Sequence, residues 1–329
     1  LRRRGTGRTG RRTSSEARRV GDERRARWPP QHEQKRIVEV GPRDGLQNEC
    51  IALDIERRLT LIDRLADAGL ASIESGAFVS PRRVPNMAGS VELMQRLQRR
   101  AGVRYPCLVP NETGLDAALE AGCDEIAIFA AASETFSQRN TACGIAESMA
   151  RLGVVAARAQ AAGLRVRGYL SCVIGCPYEG PVPAATVASL AAELDAMGCY
   201  EVSLGDTTGI GTPHAVRTLV DTVATRIPPE RLAGHFHDTW GMGVANVYAA
   251  MLSGVSVFDA SVAGLGGCPF APGASGNVAT EDVVYMLEGA GVHTGIDLGR
   301  LVDVARWSSE QLDRKPASHV ARAFKSGKD

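Results

Sequence analysis

The chain has 329 residues, 44% apolar and 23% charged, with a formal net charge of +1. That profile fits a globular protein with enough chain for one large barrel or two ordinary domains. It gives no reason for a nucleic-acid partner, no apolar run approaches the roughly 18 residues of a membrane span, and no apolar segment follows the arginine-rich start to make a secretory signal.

Residues 1–35 hold 12 basic and 4 acidic side chains, a net of +8, which leaves −7 on residues 36–329. The arm has almost no apolar residues and no period, so it cannot bury enough surface to fold. It is expected to be a disordered extension, with a targeting peptide or an electrostatic arm as alternatives. Glu16, Asp22 and Glu23 weigh against a transit peptide, which should be poor in acids. The catalytic domain is expected at 36–329.

From residue 36 onward, strand-like and helix-like segments alternate. Strands are expected at 36–44, 71–78, 103–110, 124–131, 165–173, 201–207, 231–239 and 255–265. Amphipathic helices are expected at 54–68, 115–121, 145–162, 184–197, 213–227 and 242–253. Gly69, Gly122, Gly163, Gly198 and Gly254 stand where these helices should stop in a left-handed residue. Eight such units predict an α/β protein, a (β/α)₈ TIM barrel, with an additional helix at 298–312 packed outside. An open doubly wound sheet is the alternative, but the first turn reads Gly41-Pro42-Arg43-Asp44-Gly45, without GxGxxG.

In a barrel the chemistry sits at the C-terminal strand ends. Those ends carry Arg43 and Asp44, Glu74, Asp206, His235 and His237, and the glycine-rich stretch 264–276 with Cys268, followed by Asn277 and Glu281. Residues i and i+2 of a strand face one side, so both imidazoles can share one ion; hydrogen-bonded structural histidines are the alternative. Closure of the barrel brings Asp44 and an amide after strand 8 to the same place, a mixed N/O set suited to Mg²⁺ or Mn²⁺. Arg43 is read as a cation aimed at a developing oxyanion, or as a loop ion pair. Asp206 is read as a carboxylate orienting a histidine, or as part of an Asx turn. Cys268, on a glycine loop, is a candidate acid–base group or nucleophile, or an incidental thiol. The other seven cysteines are scattered without zinc spacing, as in a reducing compartment.

The segments VGPRDGLQNE at 40–49, IESGAFVSP at 73–81, GYLSCVIGCPYEG at 168–180, SLGDTTGIGTP at 203–213, HFHDTWGMGVAN at 235–246 and SVAGLGGCPFAPGASGNVATEDVVYMLEG at 261–289 resemble the 3-hydroxy-3-methylglutaryl-CoA lyase family. The RDG and HxHDT elements are shared with the wider metal-dependent Claisen-type superfamily; the last segment is more specific to the lyases. The resemblance runs from Arg36 to about Val320. It implies a metal on Asp44, His235, His237 and Asn277, Arg43 on the thioester oxygen, and Cys268 as a catalytic loop residue. Glu74, Asp206 and Glu281 would be supporting acids, and Asn140 and Tyr169 further substrate-binding residues. The Ser75-Gly76-Ala77 element is smaller than in the best-known members, which bears on the acyl pocket.

The activity so implied is retro-Claisen cleavage of an acyl-CoA thioester to acetyl-CoA and acetoacetate, with His235 or Asp44 as the base. A homodimer is expected. The Ala/Arg/Gly-rich composition points to a GC-rich bacterial genome, hence to the cytoplasm rather than a mitochondrial matrix. A lyase for a bulkier 3-hydroxy-3-alkylglutaryl-CoA, a condensing synthase and a non-catalytic metal- or CoA-binding module are the rival readings.

Overall fold

The computed structural model describes residues 35–267 and 276–325. The expected extension, apart from Lys35, and Cys268 lie outside the described residues.

Eight parallel strands, β1 (Arg36–Glu39), β2 (Gly76–Ala77), β3 (Cys107–Leu108), β4 (Glu125–Ala131), β5 (Arg165–Ser171), β6 (Val202–Asp206), β7 (Leu232–Phe236) and β8 (Val257–Ala260), form one sheet. Its order is β1-β8-β7-β6-β5-β4-β3-β2. A parallel bridge from Glu39 to Ile73 joins the two ends, with Glu39 N donating to Ser72 O at 2.9 Å and Glu74 N to Glu39 O at 2.8 Å. The sheet is therefore closed, and the fold is the (β/α)₈ barrel. The strands bury both faces, which is why β4 reads EIAIFAA instead of alternating.

The helices are α1 (Ile55–Asp67), α2 (Ser90–Arg96), α3 (Glu112–Glu120), α4 (Glu134–Thr141), α5 (Ile145–Ala161), α6 (Ala184–Ala196), α7 (Pro213–Val223), α8 (Gly243–Leu252), α9 (Thr280–Gly289), α10 (Leu298–Gln311) and α11 (His319–Ala323). Their starts are capped locally: the Asp54 carboxylate accepts from Arg57 N, Asn111 from Gly114 N, and Asp297 from Arg300 N. α1 buries Leu61, Ile62 and Leu65 on one stripe. After it Gly69 adopts φ +100°, and Gly198 after α6 adopts +85°, the left-handed stops expected from the sequence.

Three differences matter. The helix expected outside the barrel, α10, packs against both α9 and α1, so it completes the ring. Helices α2, α4, α9 and α11 are absent from the sequence expectation; α2, α4 and α11 are short, and α9 follows a glycine-rich stretch that masks its period. Strand 8 ends at Ala260 rather than 265, because Val262–Gly264 forms a 3₁₀ turn with Ala263 at φ 59°. No described helix is long and apolar enough to cross a membrane.

Candidate active site at the barrel mouth

Arg43 and Asp44 ride on a single π-helical turn, Gly41–Gly45, that follows β1 and closes with Gly45 N donating to Val40 O at 3.1 Å. Such turns gather at functional sites. Close packing requires a glycine here: a Cβ on Gly45 would lie 2.7 Å from Ser261 Oγ and 2.9 Å from Leu265 Cβ. Arg43 is only 5% exposed and sits between two carboxylates. Its Nη1 donates to Asp44 Oδ1 at 2.7 Å, and its Nη2 stands 2.7 Å from Glu74 Oε2. Burial opposes the charge on Arg43, but Glu74 and Asp44 outweigh it and hold the guanidinium protonated. Burial pushes Glu74 up against the pull of Arg43.

Asp44 also accepts from Gln47 Nε2 and from Asn277 Nδ2, each at 2.8 Å. Burial alone would raise its pKa, but Arg43, His235 and His237 together keep it below the usual carboxylate range.

His235 lies near the end of β7, with Nε2 3.9 Å from Asp44 Oδ2 and Nδ1 3.2 Å from Asp259 Oδ2. Asp259, fully buried on β8, also accepts from Ser203 Oγ at 2.7 Å and from Arg167 at 2.7 and 3.2 Å. Arg167 in turn donates to Glu201 at 2.7 Å. Strands β5 and β8 are not neighbours, so this chain of charges runs through the barrel interior. An ionised carboxylate can only accept, which puts the hydrogen of His235 on Nδ1 and turns Nε2 to the mouth. Burial would lower the His235 pKa, but the Asp259 bond and charge raise it.

His237 lies one residue past β7, bridged to Asn277. Its Nδ1 is buried and has no hydrogen-bond partner among the described residues. Burial, then the adjacent His235, lowers its pKa to about 4, so the ring is neutral with a lone pair to offer. One ligand atom from each of Asp44, His235 and His237 lies within 4.8 Å of the other two. This donor set, with a buried nitrogen lacking a hydrogen-bond partner among the described residues and with no thiolate, fits a hard divalent cation with positions left for oxygen ligands.

A cavity of about 290 Å³ opens over this cluster. Arg43, Asp44, Asn140, Tyr169, His235 and His237 line its polar side, and Val79, Val84, Leu108, Phe129, Phe136 and Leu170 its apolar side. The Tyr169 ring packs 5.7 Å from the Arg43 guanidinium. Asp206 stands apart from these contacts: its Oδ2 accepts from Gly211 N at 2.8 Å, the turn reading, and burial pushes its pKa to about 6. The histidine contact expected of Asp206 is made by Asp259. Glu281 accepts from Ala263 N at 2.9 Å, beneath the mouth rather than in it. Asp259, Arg167 and Glu201 escaped the sequence reading; the signal was charge within the buried strands VFDA and RVRGYLS for the first two, and just before VSLGD for Glu201.

The HMGL-like family profile matches residues 34–307. The chain is 54% identical over 289 residues to the 3-hydroxy-3-isohexenylglutaryl-CoA/hydroxy-methylglutaryl-CoA lyase of Pseudomonas aeruginosa, covering 88% of this chain and 96% of that protein. A solved hydroxymethylglutaryl-CoA lyase from Pseudomonas aeruginosa superposes with a TM-score of 0.87 at 54% identity, covering 88% of this chain and 97% of that one. An HMG-CoA lyase from Acinetobacter baumannii, solved with coenzyme A and 3-methylmalate, gives 0.86 at 37% identity, covering 90% and 97%.

Proposed function

Because the chain belongs to the HMGL-like family, we propose that it is a carbon–carbon lyase that cleaves 3-hydroxy-3-methylglutaryl-CoA to acetyl-CoA and acetoacetate. The observation that carries this is the convergence of Arg43 with the Asp44, His235 and His237 cluster on one cavity. In this reading Asp44, His235, His237 and Asn277 would hold Mg²⁺ or Mn²⁺, which would supply a Lewis acid for the tertiary hydroxyl.

The chain's own residues do the rest. The hydroxyl proton leaves to the carboxylate of Asp44, which keeps lone pairs to spare when one oxygen faces the cation; the Nε2 of His235, 3.9 Å away, has only the lone pair it offers as a ligand. The C2–C3 bond breaks, C3 becomes the ketone of acetoacetate, and the electron pair passes to the thioester fragment as an enolate. Arg43, locked by Glu74 and Asp44, meets that growing charge without having to reorganise, the condition under which such a donor is most effective. Cys268 protonates the enolate carbon, completing acetyl-CoA. Tyr169 and Asn140 line the path of the substrate.

The same reading takes the enzyme as a homodimer in a bacterial cytoplasm. The name of the Pseudomonas aeruginosa relative favours a second reading, in which a 3-isohexenyl group is also accepted against the apolar wall. The test is acetoacetate release from the 3-methyl and 3-isohexenyl thioesters, before and after chelator treatment. Chelated enzyme is expected to be inactive and to recover with Mg²⁺ or Mn²⁺. Full activity of protein shown by elemental analysis to be metal-free refutes the metal reading.

A further inference from the structure

A dense polar junction lies beneath the proposed metal ligands. Glu39, the last residue of β1, is 0% exposed. Its Oε1 accepts from Gly41 N at 2.7 Å and Val262 N at 2.9 Å, and its Oε2 from Thr280 Oγ1 at 2.6 Å. Each donor belongs to a different piece of the site. Gly41 opens the π turn that carries Arg43 and Asp44. Val262 opens the turn leading to Leu265, whose carbonyl accepts from Asn277 Nδ2 at 3.2 Å. Thr280 begins α9, just after Asn277. The first contact depends on the absence of a side chain at residue 41, where a Cβ would lie 2.6 Å from Glu39 Oε1. A second buried carboxylate, Glu281, steadies the same turn through Ala263 N, at a non-glycine residue whose φ of 59° is left-handed.

No cation pairs with Glu39 among the described residues, so its burial is costly unless its hydrogen bonds are kept. We propose that Glu39 is a positioning residue. Its carboxylate ties the Arg43–Asp44 turn, the turn at 262–265 and the Asn277–Thr280 segment into one geometry, and so sets how Asp44 and Asn277 face the cation. The inference rests on the metal reading above.

The test is titration of chelator-stripped full-length protein with Mn²⁺ by calorimetry, alongside steady-state kinetics, for wild type, Glu39→Gln, Glu39→Ala and Thr280→Val. Glutamine can still accept from both amides through Oε1 and donate to Thr280 Oγ1 through Nε2. Glu39→Gln should therefore bind Mn²⁺ within about threefold of wild type, whereas Glu39→Ala should lose roughly 10- to 100-fold in affinity, the usual effect of removing an outer-shell partner. Thr280→Val cuts one tie and should fall between them; it decides the question if Glu39→Ala does not fold. Wild-type Mn²⁺ affinity in folded Glu39→Ala, or failing that in Thr280→Val, overturns the proposal. So does a Glu39→Gln loss as deep as that of alanine, which would mean that charge rather than the tie matters. A wild type that binds no Mn²⁺ refutes the metal reading instead, and the proposal with it.

Discussion

Replacing Asp259 with asparagine should be the most damaging change that touches neither substrate nor metal. The carboxylate is 1% exposed and accepts four contacts, two from Arg167, one from Ser203 and one from His235, between 2.7 and 3.2 Å. An asparagine of the same shape turns an NH₂ toward at least one of these donors and strips the buried Arg167 of its strongest counter-charge. Breaking a buried ion pair by removing one partner costs about 3–5 kcal/mol. Arg167 keeps Glu201 at 2.7 Å, which favours the lower end of that range. At roughly 2 °C per kcal/mol for a chain of this size, the melting temperature should drop by about 6–10 °C. The freed His235 ring loses its fixed tautomer, so Mn²⁺ affinity should fall by about 10- to 100-fold. Calorimetric melting of chelator-stripped protein reads the first effect, and Mn²⁺ titration reads the second. A variant that melts with the wild type and binds Mn²⁺ equally well would show that the buried chain does not hold His235, and the argument for it would fail.

Two further outcomes follow from the same geometry. Arg43→Lys keeps a positive charge but cannot reach Asp44 and Glu74 together as the guanidinium fork does, so kcat should fall by at least about 100-fold with KM changed by no more than about threefold; an equal loss in KM alone would assign Arg43 to ground-state binding. Burial raises the pKa of Glu39 to about 7 and of Glu281 to about 8, so the folded protein keeps protons that the unfolded chain releases. The stability this contributes is fully present below the ordinary carboxylate pKa and is lost as pH rises through 7 and 8. Glu281→Gln cannot ionise, so its melting temperature should fall less steeply across pH 5–8, the slope differing by at most about 1.4 kcal/mol per pH unit. A slope identical to that of the wild type would refute the buried, protonated state.

The barrel was legible in the sequence because parallel strands covered on both faces read as short apolar runs, and because the helices end in glycines such as Gly69 and Gly198 whose left-handed backbone other residues resist. The candidate residues were legible for a related reason. Once the alternation implies a barrel, any polar residue at a strand's C-terminal end points to the mouth, and the HxH spacing puts two imidazoles on one side. What local pattern could not carry is any role that depends on a partner across the barrel. Asp259 holds His235 because β5 sends Arg167 through the interior to meet it, while Asp206, equally acidic and equally well placed at a strand end, spends its carboxylate on its own turn. Glu39 looked like one more strand residue, since its donors Val262 and Thr280 lie 223 and 241 positions away. The helix Leu298–Gln311 likewise reads as an appendage until closure of the sheet leaves a gap between α9 and α1 for it to fill. Element identity and the inventory of chemistry are local properties, set by backbone preference and side-chain period. Which carboxylate serves which histidine is a distance between residues far apart in the chain, and only the closed barrel sets that distance.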